Sequence, residues 1–242
     1  MDRSVAEFLA MTDLCRLFLG QFLNISWKEF DMFLFNRVVT TTGDMEMLMP
    51  IVTELIGIIK KEADVSANAW AGSNGFVTGT LGFSIAYESL AARATATAKL
   101  GASKAWWACN RKLREHILGM EPDTIFNYIR GGTMGTAIPI GTVVQQNQFQ
   151  LAQGADWGAT IKWAHEYADL CKKLTGVDTN ILHSLYGVLG GVGMLTGFAN
   201  AAAVDEYRSK LIASTEYLPK FLEGGQFAMA GTVMQRHLVK IA

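Results

Sequence analysis

The clearest hydrophobic pattern in the chain lies at residues 156–174, where Ala164, Tyr167, Ala168, Cys171 and Leu174 fall on one helical stripe and Lys162, Glu166, Asp169 and Lys173 fall largely elsewhere. A second helix is predicted from Pro50 to about Ala63. Proline in its first turn gives up an amide that has no helical partner, and Lys60 and Lys61 complement its C-terminal dipole. Helical spacing and glycine stops extend the prediction to 80–100, 103–118, 122–130, 205–218 and 226–240. Near the N-terminus, Ser4-Val5-Ala6-Glu7 and Ser26-Trp27-Lys28-Glu29 have the form of capping boxes. The second of these opens a predicted helix with Phe30, Phe33, Leu34 and Val38 on its inner face, stopped by Thr40-Thr41-Thr42-Gly43. Only 137–144 looks strand-like, and its proline and glycine suit an extended loop equally.

These elements predict a mainly α fold: a compact helical unit over 1–242, with possible lobes at 1–130 and 131–242 joined by irregular glycine-rich segments. No repeat of 20–50 residues is visible.

Three stretches, 65–87, 131–155 and 179–204, contain no Asp, Glu, Lys or Arg. Such segments are expected to be surrounded by protein rather than water. The last is long enough to span a bilayer if helical, although Asn180, His183, Ser184, Tyr186, Thr196 and Asn200 make it more polar than most spanning helices. Glycines four apart, Gly75/Gly79, Gly131/Gly135, Gly187/Gly191 and Gly193/Gly197, would open a bare groove on any helix carrying them. That groove could pack within the subunit, between subunits or against lipid.

Composition sharpens the picture. Half of the 242 residues are apolar and 18% are charged, which excludes disorder and implies unusually extensive burial. The net charge of −1 conceals segregation: Arg93, Lys99, Lys104, Arg111, Lys112 and Arg114 follow one another with no acid between them. On a helix over 103–118, Lys104, Trp107, Arg111 and Arg114 share a face able to meet nucleic-acid phosphates and to stack a base; the bland alternative is a solvated basic face. Cys15, Cys109 and Cys171 are too few and too scattered for a disulfide framework, and Met1-Asp2-Arg3 does not begin a signal peptide, so an intracellular, cytoplasmic setting is expected.

Motifs for catalysis are absent or incomplete. His165-Glu166-Tyr167-Ala168-Asp169 departs from the zinc motif HExxH at its last position, and no further ligand completes a metal site. Gly82-Phe83-Ser84-Ile85-Ala86 approximates a nucleophile elbow without the strand and helix it needs, and Gly187–Gly193 matches no phosphate-binding loop. Met45, Met47 and Met49 offer an adaptable apolar surface or core filling. No catalytic residue, metal or cofactor is expected.

In overall type, helix-rich, modestly charged, glycine- and alanine-heavy and with a basic strip, the composition is similar to that of helical coat and nucleocapsid proteins of filamentous RNA viruses. The resemblance implies a self-assembling, non-enzymatic subunit, of the kind found within a virion, that follows single-stranded RNA through Arg93–Arg114. The alternatives are a membrane-associated helical protein and an enzyme of a type no motif reveals.

Overall fold

The computed structural model describes residues 32–132 and 137–242. The chain divides into two units, Met1–Asp31 and Met32–Ala242, and the described residues belong to the second. Both capping boxes and Cys15 therefore lie outside the described residues.

Among the described residues, nine strands and six α-helices follow in the order β1 (Phe33–Thr41), α1 (Met45–Ala63), β2 (Ala67–Asn74), β3 (Thr80–Tyr87), α2 (Leu90–Ala102), α3 (Lys104–Arg114), β4 (Ile117–Met120), β5 (Thr124–Arg130), β6 (Val143–Gln150), α4 (Trp157–Thr175), β7 (Thr179–Tyr186), β8 (Gly191–Phe198), α5 (Ala201–Ile212), α6 (Tyr217–Glu223) and β9 (Met234–Lys240). All strand pairings are antiparallel. The sheet runs β3-β2-β9-β6-β8-β7-β5-β1-β4, and a further pairing of β1 with β3 closes it into a barrel.

The barrel is a duplicated unit. The first half has the order β4-β1-β3-β2 and the second β9-β6-β8-β7, each with one helical layer outside. Local sequence devices recur with it, at the same separation along the chain to within one residue. Asp44 and Asp156 cap the long helices by accepting the amide of the third residue on, and Ser89 and Asn200 do the same for α2 and α5. The long helices end on Asp64 and Gly176, both in the left-handed region (φ 57° and 78°), preceded by Lys60-Lys61 and Lys172-Lys173.

Period-two alternation decides which face each strand turns to the helices. In β3, Leu81, Phe83, Ile85 and Tyr87 pack with Leu48, Val52, Leu55 and Ile59 of α1. The intervening Thr80, Gly82, Ser84 and Ala86 face the barrel interior, where Trp70 Nε1 donates to Ser84 Oγ at 2.8 Å. In β8, Val192, Met194 and Phe198 join Trp163, Ala164, Tyr167 and Cys171 of α4, while Gly191, Gly193, Leu195 and Gly197 turn inward. A Cβ on Gly193 would stand 3.8 Å from both Leu182 Cβ and the Phe126 ring, in ordinary contact with the interior cluster of Leu34, Phe126 and Leu182.

This architecture overturns the expectation of a mainly α domain with irregular glycine-rich connections. The charge-free segments are barrel strands: 65–87 holds β2 and β3, 131–155 holds β6, and 179–204 holds the hairpin β7–β8. They lack charge because one face meets the helices and the other the barrel interior. The helices predicted at 122–130 and 226–240 are strand β5 and, in its last part, strand β9; that at 80–100 begins with β3, and Phe33, Leu34 and Val38 lie on β1. Gly75 and Gly79 sit at positive φ in the β2–β3 connection, and Gly187 does so in the β7–β8 turn, rather than in helix grooves. Among the described residues, no helix is long and apolar enough to cross a membrane.

Leu48 and Leu81 are at most 1% exposed, whereas Leu118 on β4 is 72% exposed. Replacing either of the first two by Ala should cost about 2–5 kcal/mol in urea denaturation. Leu118→Ala should change stability by no more than about 0.5 kcal/mol.

Candidate active site

Two seams join the halves. At one, β5 pairs with β7; at the other, β2 pairs with β9. β5 belongs in sequence to the first half and lies along β1, yet its far edge hydrogen-bonds into the second half.

The outer face of β5 begins at a cleft of ≈ 370 Å³ lined by Leu90, Arg93, Asp123, Ile125 and Tyr186. Asp123 is held from below. Arg37 Nε and Nη2 donate to its Oδ1 and Oδ2 at 2.8 and 2.6 Å, a two-pronged ion pair that fixes both groups. Arg93, in the first turn of α2, lies with its guanidinium 4.9 Å from the centre of the Phe35 ring, which Arg37 also approaches at 5.7 Å. Among the described residues Arg93 makes no ion pair, so the cleft holds one uncompensated positive charge. Burial pushes the nearby Tyr87 phenol up, opposed by the charge of Arg93.

One pleat further along β5 the chemistry changes. Asn127 follows Ile125 on the same strand face, roughly 7 Å on by strand geometry, and is 5% exposed. Its Oδ1 is buried without a hydrogen-bond donor among the described residues. Across the seam its register partner is His183 of β7, whose ring lies 4.3 Å from that of Trp157, the first residue of α4. Burial pushes the His183 imidazole down to about 4, so the ring is neutral through the physiological range.

The pseudo-symmetry supplies an internal comparison. At the other seam the register partners equivalent to His183 and Asn127 are Ala71 and Val239, and the residue that opens α1, equivalent to Trp157, is Met45. The same fold therefore forms a seam from three apolar side chains. An orphaned buried carbonyl costs about 1–3 kcal/mol, and a desolvated imidazole adds to that cost below its unperturbed range. Polar residues that are unfavourable for stability where the duplicate needs none single out this seam as the candidate site.

The residues of the basic strip are distributed otherwise than one helix would place them. Arg93 belongs to the cleft and Lys99 to the last turn of α2. Ser103 then ends α2 and caps α3. Lys104, Trp107, Arg111 and Arg114 do share α3, with Trp107 47% exposed and its Nε1 donating to the Gly101 carbonyl at 2.8 Å, while Lys112 pairs with Glu54 at 2.9 Å. The zinc-like run dissolves into ion pairs: Asp169 with Arg130 at 2.6 Å, and Glu166 with Lys220. Ser84 faces the barrel interior, and Gly187–Gly193 spans the β7–β8 turn and the start of β8. Among the described residues no group of three or more His, Cys, Asp or Glu is gathered as a metal site. Sequence patterns missed Arg37, Asp123, Asn127, Trp157, His183 and Tyr186. Alternation in 179–186 would have put Ile181 and His183 on one face, but only once that stretch was taken as a strand.

Because His183 binds its proton less readily in the folded chain (about 4) than in the unfolded chain (6.5), the unfolded state gains protons first on acidification. Its contribution to stability is thus intact above pH 6.5 and declines as pH falls toward 4. In denaturant titrations from pH 7 to pH 4, His183→Phe should show a shallower loss of stability than the wild type.

In sequence, no protein-family model and no curated protein matches the chain. In structure, it is similar to a candidate monooxygenase from Fusobacterium nucleatum subsp. nucleatum, at a TM-score of 0.64 and 9% identity over 87% of this chain and 93% of that one. A candidate monooxygenase from Lactobacillus acidophilus gives 0.55 and 8% over 87% and 94%, and an anthrone oxidase-like protein 0.59 and 12% over 88% and 92%. Identities this low establish a shared fold. The fold is nevertheless that of proteins assigned to enzymatic classes, and the expectation of a non-enzymatic chain finds no support. The expected viral coat or nucleocapsid subunit, assembled helically, is overturned: the similar solved structures are candidate monooxygenases and an anthrone oxidase-like protein, and the charge-free segments form strands of the chain's own barrel.

Proposed function

We propose that the protein is an oxygen-consuming enzyme of the monooxygenase type, acting at the β5–β7 seam on a small planar molecule with an acidic C–H bond. The observation that carries this is the unequal pair of seams: Asn127, His183 and Trp157 at one, Val239, Ala71 and Met45 at the other. Likeness to the candidate monooxygenases and the anthrone oxidase-like protein supports the reaction type.

In this role the neutral His183 accepts the proton of the substrate C–H. An imidazole held so low is a weak base against water, but transfer from a neutral carbon acid creates imidazolium and carbanion side by side, and each charge raises the stability of the other. Trp157 supplies a flat apolar wall against which an aromatic ring stacks. Asn127 is a positioning residue. Its unengaged Oδ1, across the seam from His183, receives an N–H of the ring once the imidazole is charged. The substrate carbanion then supplies the electrons for oxygen, and a methylene group plus O2 yields a carbonyl group plus water.

Oxygen-electrode assays with anthrone as substrate test this. The wild type should consume oxygen faster than buffer. His183→Ala should lower kcat about 100-fold with little change in KM, and Asn127→Val should lower it about 10-fold, in line with the usual size of general-base and positioning effects. Equal rates in wild type and His183→Ala would remove His183 from the chemistry.

A further inference from the structure

We infer that the cleft beside this seam is a recognition site for an organic carboxylate, with Arg93 as the residue that determines specificity. Three features place the anion there. The cleft lining carries one guanidinium, Arg93, and one carboxylate, Asp123, and that carboxylate is already engaged through both oxygens by Arg37, which lies outside the lining. Arg93 is left with its guanidinium carbon 4.9 Å from the centre of the Phe35 ring and its N–H donors unused among the described residues. A guanidinium so placed has parallel donors to offer an incoming carboxylate, and the cation–ring contact holds it beside the cleft.

The remaining walls are apolar or aromatic: Leu90, Ile125 and Tyr186. They suit the ring system that carries the carboxylate and exclude inorganic phosphate, which would leave them uncovered. The volume of ≈ 370 Å³ matches a ligand of two or three fused rings. Asp123 screens out a second negative group on the same edge, so a monocarboxylate is preferred to a dicarboxylate. Arg37 cannot take over from Arg93 without abandoning Asp123.

The carboxylate site stands on the cleft's own geometry, and its relation to catalysis rests on the function proposed above. Ile125 lines the cleft and Asn127 follows it on the same face of β5. A planar acid anchored at Arg93 would extend along β5 toward His183 and Trp157.

Isothermal titration with 2-naphthoate, with 2-naphthylmethanol as the uncharged counterpart, tests the assignment on the whole chain. The wild type should bind the acid at least 10-fold more tightly than the alcohol. Arg93→Ala should abolish that preference and Arg93→Lys should restore part of it, while Leu118→Ala, at an exposed position of β4 outside the cleft lining, should bind 2-naphthoate as the wild type does. An Arg93→Ala protein that unfolds at the same urea concentration as the wild type yet keeps the preference would overturn the proposal. So would failure of the wild type to bind 2-naphthoate. Naphthoate binding that depends on Arg93, combined with no oxygen consumption by any variant, would leave the carboxylate site standing and remove the oxygenase role.

Discussion

Everything in this molecule depends on the mutual satisfaction of strand edges. Each half is an open four-stranded sheet, and an open sheet ends in a row of backbone donors and acceptors with no partner. Here β2 finds β9, β7 finds β5, and the closed ring leaves β4 as the terminal strand of the sheet order. The helices could cover one face of either half alone, but only the other half can complete the hydrogen bonding at its edges. The bare inner face of β8 and the small inner residues of β3 follow from the same closure, since a ring of eight strands has little interior to share. Phe126, Leu34 and Leu182 fill it where β5 meets β1 and β7.

How much of this could be read in the sequence varied with the kind of signal. The helix over 156–174 was legible because its apolar stripe and its charges are both present, and the structure places α4 there within a residue. The sequence places the start of α1 late, at Pro50, because the true cap, Asp44, has Met47 at the third position on, where a capping box would carry Glu or Gln. The strands were lost for a physical reason. In β3 and β8 the interior face carries Gly, Ser, Ala and Thr rather than charged residues, so hydrophobic alternates with small instead of with polar, and the segments read as uniformly uncharged. The duplication was hidden because equivalent core positions differ in type: α1 buries Leu48, Val52 and Ile59, where α4 buries Thr160, Ala164 and Cys171. What the two halves share is their caps, their left-handed helix ends and their paired lysines, which occupy only a few positions.

The site was less legible than the fold. Arg93 was singled out, but as one cation in a row of six; its separation from Lys104, Arg111 and Arg114 arises at Ser103, which breaks the run into two helices. Asn127 and His183 lie on strands that had been taken as a helix and as an undivided uncharged segment, so neither was placed opposite the other. Their significance comes from a comparison no linear pattern contains: the same two places at the other seam, occupied by Val239 and Ala71. Duplicated folds provide such controls within one chain. Where the twin positions agree, they describe the architecture; where one twin is polar, buried and unpartnered, the architecture alone does not account for it.

The course of β5 has one more consequence. Arg93, Asp123, Ile125 and Asn127 come from the first half of the chain, and Trp157, His183 and Tyr186 from the second. Neither set makes a site without the other. A chain cut between the halves would divide these residues, and only the re-pairing of β5 with β7 would bring them together again.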